Sequence, residues 1–274
     1  MFRSYLKSLL VTLAMLLLPA VAAAESAVLP KDIAKVSILP GWRAADGRHF
    51  AGIRIKLAKG WKTYWRAPGE AGIPPQLNWS GSKNLGSVKL IWPTPKVYNI
   101  NGMRSIGYDG DIVLPIQITP RRKGNQPITL RAKLEIGVCE DICIPISVKL
   151  SGDLAVPGMV DNAISRSIQN QPVEGDQAGV KSVICQVVPI SDGLRLTTQI
   201  DMPHMGQTEH VVVELPDKSI WVSQPTAIRQ GGKLVTEADM VPANAQPFLL
   251  DRSQVRITVL GDRGAVDILG CSAG

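Results

Sequence analysis

Hydrophobic and polar residues alternate in short runs along most of the chain. Gly52-Ile53-Arg54-Ile55-Lys56-Leu57 is one such run. Val113 to Ile118, Ala132 to Val138, Ile144 to Leu150, Val211 to Leu215 and Val255 to Leu260 are others. A period of two, with turn residues between the runs, predicts strands, and many short strands of this kind predict a β-sandwich. One stretch breaks the pattern. From Val160 to Asn170, Val160, Ile164 and Ile168 stand at helical spacing, and Pro172 stops the run. The polar stretch Glu174 to Gly179 follows, and all of the tryptophans except Trp221 lie between residues 42 and 92. The pattern predicts an all-β chain of two β-sandwich domains, residues 25–157 and 177–274, joined by a short helix and linker over 158–176.

Composition sharpens this picture. The chain has 274 residues and is 45% apolar, which permits a packed core and excludes general disorder. Its 25 Gly and 20 Pro favour a turn-rich β protein over a helical bundle. Four Cys and three His exclude a multi-cluster iron–sulfur protein. The net charge of +7 carries no long run of one sign, and Arg121-Arg122-Lys123 is an isolated basic turn, so no nucleic-acid partner is expected. His49 stands alone, and no Ser-His-Asp set or carboxylate pair points to a hydrolase.

The first 24 residues are read as a signal peptide. Arg3 and Lys7 open it, Leu9 to Leu18 is apolar, and Ala22-Ala23-Ala24 precedes Glu25 as a cleavage site would. That apolar stretch is short for a membrane span, and no later segment approaches the length of about 18 apolar residues that a span requires. The expectation is an exported, periplasmic protein with no transmembrane segment in its mature chain.

Export changes how the cysteines are read. In an oxidising compartment an even number implies disulfides. Among Cys139, Cys143, Cys185 and Cys271 three pairings are open, and local proximity favours 139–143 with 185–271. The second bridge is expected to be structural, because Val183 to Val188 and Ala265 to Leu269 are strand-like.

The first pair lies in Leu134-Glu135-Ile136-Gly137-Val138-Cys139-Glu140-Asp141-Ile142-Cys143-Ile144-Pro145-Ile146-Ser147-Val148. Apolar residues alternate on both sides of Glu140-Asp141-Ile142, which predicts a hairpin with a three-residue turn. If those apolar residues face the core, Cys139 and Cys143 share the other, accessible face. Pro145 cannot donate a ladder hydrogen bond, which places its strand at an edge or a bulge. A purely structural bridge is the plainer reading, but so small a loop constrains the unfolded chain little. Zinc is disfavoured, since the nearest further Cys or His along the chain is Cys185. Glu140 and Asp141 disfavour a thiolate beside them unless a cation compensates. The pair is therefore expected to be attacked by a partner's thiolate rather than to attack, as in a relay. There is no C-x-x-C, so the chain is not itself thioredoxin-like.

Several motifs occur in order around this hairpin. Gly60-Trp61-Lys62-Thr63-Tyr64-Trp65-Arg66-Ala67-Pro68-Gly69-Glu70-Ala71-Gly72-Ile73-Pro74-Pro75 is followed by Trp79, by Ile91-Trp92-Pro93-Thr94-Pro95, by Gly107-Tyr108 and by Leu114-Pro115. Over roughly residues 40–155 this resembles the periplasmic N-terminal domains of DsbD-type thiol:disulfide interchange proteins. Cys139-Glu140-Asp141-Ile142-Cys143-Ile144-Pro145 is similar to the C-x-x-x-C-x-P hairpin of the subgroup related to the suppressor-of-copper-sensitivity protein ScsB. The DsbD domain proper has a wider cysteine spacing. The resemblance implies an immunoglobulin-like fold and names Cys139 and Cys143 as the redox pair. By it, the pair takes reducing equivalents from a membrane-embedded disulfide reductase and passes them to exported client proteins, with thioredoxin-like domains as partners and no cofactor. The family's multi-span and thioredoxin-like domains are expected on another polypeptide.

The aromatic segment admits two readings. Trp61, Tyr64 and Trp65 are core residues or a sheet corner, or they cap the disulfide. Tyr64, Trp65, Tyr98 and Tyr108 are the candidate caps, and the sequence does not choose among them. A binding module is the alternative function: a C-x-x-x-C pair can hold Cu(I) between two thiolates, as in copper chaperones of the SCO type. Those motifs carry Pro directly after the second Cys, where Ile144 stands here. Met202-Pro203-His204-Met205 offers further soft ligands, but in the other half of the chain.

Overall fold

The computed structural model describes residues 33–274 apart from Ala71, Asn101, Lys123 and Ala155, together with all of their side chains except that of Ile100. The proposed signal peptide lies outside the described residues. In chain order the first strands are β1 (Ala34–Arg43), β2 (His49–Leu57), β3 (Lys62–Gly69), β4 (Gln76–Asn78), β5 (Leu85–Leu90), β6 (Lys96–Ile100), β7 (Met103–Asp109), β8 (Asp111–Pro120), β9 (Ile128–Cys139) and β10 (Cys143–Leu154). After the helix α1 (Asn162–Gln169) come β11 (Val173–Glu174), β12 (Ser182–Ile190), β13 (Gly193–Asp201), β14 (Glu209–Glu214), β15 (Trp221–Val222), β16 (Thr226–Gln230), β17 (Lys233–Val241), β18 (Arg256–Gly261), β19 (Gly264–Leu269) and β20 (Ser272–Ala273).

The strands form two pairs of sheets. Residues 34–154 supply a sheet of order β1-β2-β8-β5 and a second of order β10-β9-β3-β7-β6, with β4 also on β9. Residues 173–273 supply β11-β19-β18-β14 and β15-β17-β13-β12-β20, with β16 on β17. Every alternating run predicted from the sequence falls in a strand, with only Leu215 and Val255 one residue beyond β14 and β18. The reason is visible in β9, where Ile128, Leu130, Ala132, Leu134, Ile136 and Val138 are all buried and the residues between them face outward. Burying one such face is what drives two sheets together.

The helix and the stretch after it behave differently from a simple linker. Asp161 caps α1 by accepting hydrogen bonds from the backbone of Ala163 and Ile164. Ile164 is fully buried, and the Ser167 hydroxyl donates to the Val113 carbonyl at 2.6 Å, so α1 is docked on β8 of the first pair of sheets. β11, inside the stretch read as linker, pairs parallel to β19 and so belongs to the second pair.

The two sandwiches meet along β3. The Arg66 guanidinium lies 2.9 Å from a Glu214 carboxylate oxygen and 3.4 Å from Asp267, and it donates to the Thr258 hydroxyl at 3.2 Å. Its other face stacks on the Trp65 ring at 4.0 Å. Glu214 is buried, so this contact is an ion-pair cluster largely shielded from water. Around it lies a cleft of about 680 Å³ walled by Pro68, Pro75, Leu215 and Trp221.

Candidate functional site

The hairpin of β9 and β10 pairs Cys139 with Cys143 directly across the strands, and the register runs without a shift to Ile128 and Leu154. β10 is the edge strand of its sheet, as the ladder-breaking Pro145 requires. The paired cysteines have Cα atoms 4.1 Å apart and are joined as a disulfide. On the other side of β9, Lys62 of β3 is the register partner of Cys139, and Asp109 of β7 is the register partner of Lys62. Because side chains directly opposite share a face, Cys143, Cys139, Lys62 and Asp109 form one row across the outer surface of the sheet.

That outer surface is not bare. Tyr64, two residues beyond Lys62 on the same face, places its hydroxyl 2.8 Å from Cys139 Sγ and 3.2 Å from Cys143 Sγ. A disulfide sulfur carries no hydrogen, so the hydroxyl is the donor. Its ring crosses β9 at Gly137, where an added Cβ would stand 2.8 Å from Ile73 and 3.2 Å from the ring. The missing side chain at 137 therefore seats the cap. Burial pushes the Tyr64 hydroxyl above its ordinary range, which keeps it protonated and able to donate.

The result is an asymmetric pair. The sequence expectation placed both sulfurs on an accessible face. They do share a face, but Cys139 is only 6% exposed because Tyr64 covers it, whereas Cys143 is exposed. Beyond them the turn presents Ile142, 68% exposed, between Asp141 and Cys143. Glu140 folds back over Gly60, whose positive φ of 90° is a backbone conformation that side-chain-bearing residues rarely adopt.

The other candidate caps fall elsewhere. Trp65 alternates with Tyr64 and so points inward, where it is fully buried. Tyr108 pairs with Thr63, which pairs with the core residue Val138. It therefore faces the core, and its hydroxyl donates to the Pro93 carbonyl at 2.8 Å. Trp65 and Tyr108 are core residues rather than caps. Tyr98 pairs with Ser105 on the outer face. Its ring lies 5.3 Å beneath the Lys62 ammonium, so it adjoins the site through Lys62.

Cys185 and Cys271 are joined in the second sandwich with Cα atoms 5.8 Å apart. Cys185 is fully buried in that core, and its strand β12 also pairs with β20, which starts one residue after Cys271. Of the soft ligands in Met202-Pro203-His204-Met205, Met202 is buried in the same core while His204 is exposed. His49 is buried and its Nε2 lies 2.7 Å from the Pro40 carbonyl oxygen. Among the described residues no cluster of three or more His, Cys, Asp or Glu could hold a metal ion, and no helix is long and apolar enough to cross a membrane.

Sequence reasoning missed Lys62 and Arg66. A local signal existed for the first, since alternation puts Lys62 and Tyr64 on one face. What it lacked was the neighbour: nothing in the sequence says that β3 lies beside β9.

Known proteins resemble this chain in part of its sequence and in its fold. Residues 27–154 match the family described as the N-terminal domain of the thiol:disulfide interchange protein DsbD. Among solved structures, the N-terminal periplasmic domain of ScsB from Proteus mirabilis superposes with a TM-score of 0.63 at 20% identity, covering 88% of this chain and 92% of that one. The N-terminal domain of Neisseria meningitidis DsbD in its reduced form aligns over 50% of this chain and 96% of its own, at 16% identity and a TM-score of 0.29. No curated protein sequence matches the chain. Over residues 27–154, which include the Cys139–Cys143 hairpin, the chain therefore resembles the DsbD-type N-terminal domain family of thiol:disulfide interchange proteins.

Proposed function

We propose that this protein is a periplasmic thiol–disulfide relay of the ScsB-like kind. In this reading Cys139 and Cys143 accept reducing equivalents from a membrane-embedded disulfide reductase, through a thioredoxin-like domain, and pass them to exported clients. Residues 25–157 form the redox domain and 177–274 a second immunoglobulin-like domain stapled by Cys185–Cys271. One observation carries the reading: a two-residue disulfide at a hairpin tip with one sulfur exposed and the other held under a tyrosine hydroxyl.

The asymmetry supports one order of events. A partner thiolate attacks the exposed Cys143 Sγ. The partner–Cys143 bond forms, the Cys139–Cys143 bond breaks, and the electron pair leaves on Cys139 Sγ. The Tyr64 hydroxyl is already aimed at that atom and donates to the new thiolate. The partner's second thiolate then attacks its own bonded sulfur and expels Cys143, so the partner is oxidised to a disulfide and the hairpin is reduced to a dithiol. Handing electrons to a client reverses these steps.

The test is trapping. Cys139→Ser should leave Cys143 free to form a stable mixed disulfide with a thioredoxin-like partner in periplasmic extracts, and changing both cysteines should abolish it. A redox titration should place the pair above the structural range, which lies below about −300 mV. A potential below that range, or no trapped partner with either single variant, overturns the relay.

A further inference from the structure

Opening the disulfide creates a charge where the fold is poorly placed to hold one. Cys139 is buried, and burial raises a thiol's pKa. Glu140 and Asp141 follow it directly, and both add negative charge. Tyr64 supplies one hydrogen bond to its sulfur, but no charge.

The charge comes from the adjoining strand. Lys62 is the register partner of Cys139 and lies on the same face, where opposite residues have Cβ atoms about 4.5–5.5 Å apart. Its four-carbon stem is partly buried, which limits its range. The acid on its other side, Asp109, is engaged by Lys96 of β6 at 2.7 Å. Lys62 makes no ion pair with a carboxylate among the described residues, and in the disulfide form its ammonium rests 5.3 Å from the centre of the Tyr98 ring. The titratable and charged groups nearest Cys139 are thus Lys62 and Tyr64 from β3, Lys59 from the turn before it, Glu140 and Asp141 from the hairpin turn, Asp109 from β7, and Lys96 and Tyr98 from β6, with the Lys133–Glu135 pair farther along β9. Lys62 is the strand cation directly beside Cys139, and no described acid engages it, whereas Lys59 precedes Gly60, over which Glu140 folds. The ring parks it with little hold, since a cation–π contact at a partly wetted site is weak.

We propose that Lys62 is the positioning residue for the exchange, its ammonium swinging from the Tyr98 ring toward Cys139 Sγ as that sulfur leaves as a thiolate. The inference rests on the relay reading above. It adds the cation that the acidic turn calls for. It also explains why Cys139 can serve as the leaving sulfur although it is buried: a lower thiol pKa makes a faster leaving group.

The experiment isolates Cys139 in a Cys143→Ser background and follows thiolate absorbance near 240 nm against pH. Lys62→Gln is expected to raise the Cys139 midpoint by about one unit, the size of effect a nearby charge exerts through partly wetted protein. Lys62→Arg, which keeps the charge, should restore it. In the disulfide form, opening by dithiothreitol at neutral pH should slow several-fold in Lys62→Gln and recover in Lys62→Arg. If the midpoint is the same with Lys, Gln and Arg at 62, the Lys62 role is overturned while the relay stands. If a thioredoxin-like dithiol cannot open the wild-type pair at all, the relay reading falls, and the Lys62 role with it.

Discussion

The two disulfides of this chain are held in opposite ways. Cys139–Cys143 joins residues four apart at the tip of a hairpin, with Cys143 exposed. Cys185–Cys271 joins residues 86 apart, with Cys185 sealed in a core. Chain-entropy reasoning gives the long loop about 4–5 kcal/mol of stabilisation and the short one about 2. Around the first bridge the fold supplies polar and charged groups, namely the Tyr64 hydroxyl, Lys62 and Glu140. Around the second it supplies Val183, Leu196 and Ile200 together with the buried Thr198 opposite Cys185. In the proposed relay the same bond is reactive in one sandwich and inert in the other, because of what the strands put beside it.

The sharpest way to break this comparison is to remove each bridge in turn. Replacing Cys185 and Cys271 by Ala should lower unfolding stability by about 4 kcal/mol. The same change at Cys139 and Cys143 should cost about 2 or less, both read from urea unfolding midpoints at a common m-value. Equal losses would mean that the hairpin bridge is structural too. Thiol mapping under graded reductant should find Cys139 and Cys143 opened while Cys185 and Cys271 remain joined.

Next in size is the joint between the sandwiches. Arg66→Ala leaves Glu214 and Asp267 without their shared cation. Lys218, 3.6 Å from Glu214, and Arg256, 3.2 Å from Asp267, soften the loss. We expect about 2–3 kcal/mol, below the roughly 3–5 of a fully buried pair. Because Arg66 is two residues from Tyr64 on β3, the variant should also alter the rate at which dithiothreitol opens the hairpin pair, without opening Cys185–Cys271. An unchanged rate would show that the joint and the cap are independent.

The smallest effect tests the cap. Tyr64→Phe keeps the ring over Gly137 and removes the hydroxyl. The opening rate should fall by a factor of about 3–10, the equivalent of a hydrogen bond of about 1 kcal/mol, with little change in stability. A faster rate would mean that the hydroxyl shields the sulfurs rather than assisting them.

What the sequence made legible was local. Leu134, Ile136 and Val138 against Ile144, Ile146 and Val148 fix the hairpin, its turn and the common face of the two cysteines, since a one-residue slip would expose every apolar residue. Pro145 announced the edge. The helix was also readable from Ile164 and Ile168, though not the surface on which Ile164 is buried. What stayed hidden depends on which strands become neighbours. Tyr64 could be chosen over Trp65 and Tyr108 only once β3 was known to lie beside β9, because that neighbour decides which face of each strand is the core. Lys62 beside Cys139, Arg66 against Glu214 and β11 on β19 are all contacts between segments far apart in the chain.

The edge strand has one more consequence, for what this molecule avoids. β10 runs twelve residues from Cys143 to Leu154 with its outer backbone groups unpaired. A long open edge invites a second copy to add edge to edge and begin an aggregate. Along the exposed positions stand Pro145, Ser147, Lys149, Ser151 and Asp153. The proline removes a donor close to the sulfur, and like lysines brought together in a symmetric pairing repel. In the proposed relay, the strand that offers Cys143 to other proteins is thereby guarded against its own twin, and its tip can stay uncovered at high concentration without becoming a seed.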